Sequence, residues 1–197
     1  MLRLCGLIWI FIELVACSSY NPLQEYNVKE PASISGSSAA SGNFSEAQVQ
    51  QGQYLVELLN CGSCHTDGAL VGLPVPNRFF GGSSIGIGYS NPLAEKNPGV
   101  VFPANLTPDI ETGIGSWQDE EVLQFFKTGV DNHGRRQLSV MPWPGYARLK
   151  DEDALAILAF LRGLPPVRHA VPENVRPGEN SPRPFVHFGV YQRKDRR

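Results

Sequence analysis

Along residues 45–60 the apolar positions Val49, Val56 and Leu59, with the small Gly52, recur three or four apart between polar neighbours, the period of one helix face. Ser45 followed by Gln48 reads as a capping box, so the spacing predicts a helix over 46–60. A second helix is predicted from Ser116 to Gly129, with Trp117, Asp119, Glu120 and Glu121 in its first turn and Val122, Phe125 and Phe126 behind them. The acidic first turn complements the partial positive charge of a helix N-terminus. A third runs from Asp151 through Leu155, Leu158 and Leu161 and stops at Gly163-Leu164-Pro165-Pro166. Between the first two helices lie more than 40 residues punctuated by Gly81-Gly82-Ser83-Ser84, Asn91-Pro92 and Asn97-Pro98-Gly99, all turn signals. A loop that long inside a compact domain needs an organiser other than side-chain packing, and a buried prosthetic group would serve.

The ends differ from the middle. Arg3 precedes the apolar run Leu4 to Ile12, the pattern of an export signal and about half the roughly 20 residues that span a bilayer. Leu14-Val15-Ala16-Cys17-Ser18 resembles a bacterial lipobox, which makes residues 1–16 a signal peptide and Cys17 the lipid attachment point; an ordinary signal peptide or a short anchor is the alternative. Acyl chains on Cys17 would hold the protein at a membrane surface. Residues 17–45 are expected to be a flexible tether, because 8 serines lie between Ser18 and Ser45 with few large apolar groups to offset ordering entropy. The globular part is expected at 46–167. Residues 168–197 form a proline-rich arm with a basic tip, Arg193 to Arg197, either a disordered tail or an arm laid over a partner. With 197 residues and 42% hydrophobic composition the chain is long enough for one core. The 17 basic against 19 acidic side chains, net −2, argue against a nucleic-acid partner.

Of the four cysteines, Cys5 and Cys17 fall in the leader, leaving Cys61 and Cys64 in Cys61-Gly62-Ser63-Cys64-His65. This is the attachment pattern of haem c: two thiols so spaced can add across the two vinyl groups of one porphyrin, and the adjacent imidazole falls under the iron as fifth ligand. A structural zinc would want four ligands, and with no third or fourth Cys in the folded part His133, His169 or His187 would have to make up the number. A thioredoxin-like pair would need a βαβ setting, and a plain disulfide remains open as well. For the sixth ligand, Met141 is the only methionine besides Met1 and stands in the stiff loop Met141-Pro142-Trp143-Pro144-Gly145-Tyr146. Its rival is His133, with His169 and His187 behind it. A thioether in place of a second imidazole raises the reduction potential, as suits an electron acceptor.

Several strings together carry a family resemblance: Gly52-Gln53-Tyr54-Leu55, Cys61 to Thr66, Asn105-Leu106-Thr107-Pro108-Asp109 through Gly113-Ile114-Gly115-Ser116-Trp117, Met141-Pro142-Trp143-Pro144 and Phe160 to Pro165. The chain resembles class I c-type cytochromes, nearest to the cytochrome subunits of periplasmic alcohol and aldehyde dehydrogenases. It has one such domain and one haem motif where those subunits have several, which suggests a stand-alone carrier. The resemblance implies an all-α fold of three to five helices around one covalent haem, with Gly52 facing Phe160 where the first and last helices cross. It implies a backbone carbonyl from Pro74 or Pro76, with Pro74 preferred, on the free nitrogen of His65. Trp117 and Arg78 would reach the haem propionates, or else serve as a helix-capping aromatic and a solvated surface charge. The implied work is single-electron transfer without substrate chemistry: reduction by a periplasmic dehydrogenase and oxidation by another cytochrome, a quinone-linked complex or an oxidase, on a lipid-anchored protein of the bacterial periplasm. The alternative is a haem sensor or peroxidase-like enzyme whose sixth ligand can be displaced.

Overall fold

The computed structural model describes residues 26–91, 95–138 and 140–188. The export signal, Cys17 and the basic tip lie outside the described residues. Helix α1, Glu46–Leu58, starts at the expected capping box: the Ser45 hydroxyl accepts from the Gln48 N–H while the Gln48 side chain accepts from the Ser45 N–H. Its buried face is Val49, Gly52 and Val56. That face lies on the last helix, α5, Asp151–Arg162, whose residues 156–161 are all buried. A Cβ on Gly52 would stand 1.9 Å from the Ala156 carbonyl oxygen and 2.9 Å from the Phe160 Cβ, so only glycine permits the crossing. Phe160 also meets Phe80 edge-on at 5.7 Å. Truncating a fully buried aromatic of this kind costs about 3–5 kcal/mol.

Between these two, α2 is Cys61–His65, α3 is Asp119–Thr128 and α4 is the single turn Trp143–Tyr146. Helix α3 begins three residues later than the sequence pattern suggests. Gln118 caps it there, its N–H donating to the Glu121 carboxylate at 2.8 Å, and just before it the Arg162 guanidinium donates to the carbonyls of Ile114 (2.7 Å) and Trp117 (2.6 Å). At the other end Gly129 takes a left-handed φ of 66° and caps α3 as expected.

The all-α expectation needs a correction, because the long inter-helix region and the C-terminal arm together form a small sheet. Strand β1, Gly86–Gly88, lies between β2, Val100–Val101, which is antiparallel to it, and β3, Phe185–His187, which is parallel. A second small core of Val100, Phe102 and Val175 lies beside it. Strands of two or three residues, one of them Gly-Ile-Gly, leave no alternation that a sequence can display.

Both predicted tails are built into the domain over their described parts. Residues 26–45 form no helix or strand, yet Ile34 is buried against Gly62 and Phe80, and Ala32 N–H donates to the Ala69 carbonyl at 2.8 Å. Ser38 Oγ donates to the Phe160 carbonyl at 2.7 Å. Average composition misses this, because one isoleucine and a few backbone bonds suffice to tie an extended strap down. The C-terminal arm is likewise laid over its own domain, through β3, the Val100–Val175 bridge and the buried His169. Among the described residues no helix is long and apolar enough to cross a membrane.

Candidate haem centre

After α1 the chain turns on Asn60, in the left-handed region at φ 54°, and enters α2 at once. The Asn60 carbonyl accepts from both the N–H (3.2 Å) and the hydroxyl (2.9 Å) of Ser63, closing the turn. Cys61 and Cys64 stand three positions apart on α2, a spacing that puts both on one helix face. They line an apolar cavity of about 330 Å³ together with His65. Its other walls come from α1 (Val56), α3 (Phe125), α5 (Leu161) and the loop that carries Met141 and Trp143. Both thiols are free. Burial pushes the Cys61 thiol up to about 11 against a partly offsetting backbone hydrogen bond. Burial also raises Cys64, partly opposed by the Ser63 hydroxyl. Reactive redox cysteines are lowered instead. Among the described residues no group of three or more His, Cys, Asp or Glu side chains is placed to hold a metal ion.

His65 is buried, and its Nδ1 lies 2.7 Å from the carbonyl oxygen of Ala104. The expected partner, Pro74, is not the one used. The turn around it closes on itself instead: Leu73 N–H donates to Gly68 and Val75 N–H to the Asp67 carbonyl. The bond to Ala104 puts the proton on Nδ1 and the lone pair on Nε2 of a residue that lines the cavity. Burial lowers the imidazole pKa, more than the Ala104 bond raises it, and so favours the neutral form a metal ligand needs.

Ala104 is held by the stretch that follows it. Asn105, 3% exposed, donates to the Val167 carbonyl (2.6 Å) and to Thr112 Oγ1 (3.0 Å), and its Oδ1 accepts from the N–H and hydroxyl of Thr107. The Asn-Leu-Thr-Pro-Asp string therefore works as a knot between this loop and the exit of α5, a role its residue types alone did not disclose.

The other candidates fall away from the cavity. His133 is exposed on the loop after α3. His169 is buried with Nδ1 at 2.8 Å from the Gly81 carbonyl, and His187 faces the Gly88 carbonyl from β3. Arg78 pairs with Asp67 at 2.5 Å, and Trp117 meets Phe125 edge-on at 5.7 Å; neither is a cavity wall. Met141 is a wall, as are Trp143 and Tyr146, which the sequence shows only as members of the methionine loop. Burial, with a contribution from the two nearby cysteines, holds the Tyr146 phenol up at about 12.

Two free thiols on one helix face, a neutral imidazole and a thioether around one apolar space fit haem c. No family model matches the chain. Curated proteins do. It is 33% identical over 136 residues to the cytochrome c subunit of alcohol dehydrogenase (quinone) from Gluconobacter oxydans, a match covering 68% of this chain and 25% of that one. It is 31% identical over 138 residues to the gluconate 2-dehydrogenase cytochrome c subunit of Pantoea cypripedii, covering 70% and 28%. The chain resembles the cytochrome c subunits of bacterial dehydrogenases. A further match, 30% identical over 113 residues, is the fructose dehydrogenase cytochrome subunit of Gluconobacter japonicus, covering 57% of this chain and 20% of that one. The chain spans about a quarter of the length of the first two relatives. Such relatives imply haem c as the cofactor.

Proposed function

We propose that the chain binds one haem c covalently through Cys61 and Cys64, with His65 and Met141 as the axial ligands, and carries single electrons away from a dehydrogenase. The observation that carries this reading is the convergence of the Cys61–His65 helix and Met141 on one cavity. Haem c supplies the reversible one-electron couple of its iron. The chain's own residues bind it and fix the imidazole through Ala104. They also surround the iron site with apolar side chains that exclude water, which tunes the potential. The relatives, cytochrome subunits of alcohol, gluconate and fructose dehydrogenases, support a dehydrogenase as electron donor. A downstream cytochrome, quinone-linked complex or oxidase would take the electrons. The lipobox-like sequence at Cys17 supports a lipoprotein of the bacterial periplasm, held at a membrane.

The test is the visible spectrum, oxidised and reduced, of the protein made in a host that attaches haem c, beside Met141→Ala. The expected result is a low-spin c-type spectrum with a sulfur-to-iron band that the variant lacks, and a lowered potential in the variant. A high-spin wild type that shifts with carbon monoxide would replace the carrier by a sensor or a peroxidase-like enzyme. For the anchor, Cys17→Ala should release the protein from membranes, and continued membrane fractionation would refute lipidation.

A further inference from the structure

The loop that brings Met141 to the cavity is organised around one buried carboxylate. Asp131 is 8% exposed and accepts four hydrogen bonds. The N–H groups of His133 and Arg135 donate to Oδ1, each at 2.9 Å. The Arg135 guanidinium (2.9 Å) and the Gln137 side-chain amide (3.1 Å) donate to Oδ2. The backbone repeats the closure, with Asp131 N–H donating to the Arg135 carbonyl and Gln137 N–H to the Gly129 carbonyl. Gln137 and Leu138 are themselves cavity walls. From there the chain to Met141 is short. The Leu138 carbonyl accepts from Val140 N–H (2.8 Å) and from the Trp143 indole (3.3 Å), and Trp143 N–H returns to the Met141 carbonyl (2.8 Å). Trp143 in turn lies on Phe125 of α3 at 5.1 Å and against Gly129, where a Cβ would come within 2.9 Å of the indole. Met141 is thus bracketed by two residues, Leu138 and Trp143. The first is fixed through Asp131 and the second through α3.

We propose that Asp131 is a positioning residue for the sixth ligand: by closing the 131–137 loop it keeps Met141 seated and shuts the cavity to outside ligands. The inference rests on the reading of Met141 as that ligand. It assigns to Asp131 the choice between a closed electron carrier and an open ligand-binding haem protein, since a loosened loop leaves the iron's sixth position open to exchange. Arg135, 72% exposed at its side chain, and the exposed His133 act here through the hydrogen bonds they give to Asp131.

The test uses the ferric holoprotein and imidazole as the probe, titrated by visible spectroscopy in wild type, Asp131→Ala, Asp131→Asn and Met141→Ala. Asparagine keeps an oxygen for the two backbone donors but cannot accept from Arg135 and Gln137 on its amide side. The expected result is at least a tenfold tighter imidazole affinity and a weakened sulfur-to-iron band in Asp131→Ala, with Asp131→Asn between it and wild type. Covalent haem content stays unchanged. Wild-type affinity and band in both Asp131 variants, while Met141→Ala loses the band, would overturn the positioning role and leave the ligand reading standing. A Met141→Ala spectrum identical to wild type would remove the ligand reading, and the positioning role with it. Should Asp131→Ala not accumulate, Asp131→Asn decides alone on the same readouts.

Discussion

Asn105 and Asp131 are both buried, and each makes four hydrogen bonds, yet they hold different parts of the cavity lining in different ways. One Asn105 bond reaches Val167, 62 positions away, and joins the His65 side to the segment that follows α5; the other three stay within seven residues. Every Asp131 bond stays within six residues. A side chain that joins distant segments shares in the global stability of the domain, whereas one that closes its own loop governs a local opening that leaves the rest folded. The histidine side is therefore prearranged by the whole fold, and the methionine side by its own loop.

The largest expected effect follows from the first of these. Asn105→Ala orphans the Thr107 N–H, in a residue with no exposed surface, and removes a donor from the Val167 carbonyl. Leaving buried groups of this kind unpaired costs about 1–3 kcal/mol, so the denaturant midpoint of the holoprotein should fall markedly. The comparison predicts that Asp131→Ala lowers the same midpoint less, because three of its four donor groups belong to the exposed His133 and Arg135, which water can reach. Equal losses in the two variants would erase the distinction between a tertiary knot and a local clamp.

Acid sharpens it next. Burial alone would raise the Asp131 carboxyl, but the N–H groups of Arg135 and His133 and the Arg135 guanidinium outweigh it and hold its pKa below the ordinary carboxylate value. A group with a lowered folded pKa contributes stability that is present above its unfolded pKa, about 4, and is lost as pH falls through the folded value. Below about pH 4 the loop should then loosen, read as fading of the sulfur-to-iron band. The fade should be reduced in Asp131→Asn, which has no carboxyl to protonate. An identical acid profile in that variant would assign the change to another group.

The same contrast between local and long-range bonds explains what a sequence can show. Helix ends were legible because their signals are local: the Ser45–Gln48 box and the Gly129 stop lie within a turn of the helices they bound. The Cys61–His65 motif was legible for the same reason, since five consecutive residues carry all of its chemistry. The partner of His65 was not. Ala104 and Pro74 offer the same backbone carbonyl, and only the tertiary path of the loop decides between them. The sheet escaped because β3 pairs with a strand 99 positions earlier in register, Ile87 with Val186. The strap at residues 32–39 escaped because its anchors are mostly backbone atoms, which have no residue type.

The smallest expected effect concerns His133, which the sequence offers as a rival ligand and the fold places on the exposed face of the Asp131 loop. Its contribution to that loop is a backbone N–H, which any residue but proline supplies. Its imidazole is not among the cavity walls, so it has no route to an axial position while the loop stays closed. His133→Ala should therefore leave the visible spectrum, the reduction potential and the imidazole affinity at their wild-type values, with stability changed by no more than about 0.5 kcal/mol. A lowered imidazole affinity in Asp131→Ala that rises when His133→Ala is added would mean that the opened loop delivers this histidine to the iron. The Asp131 clamp would then be selecting between two internal ligands, and the local character of the methionine side would extend to the identity of the ligand itself.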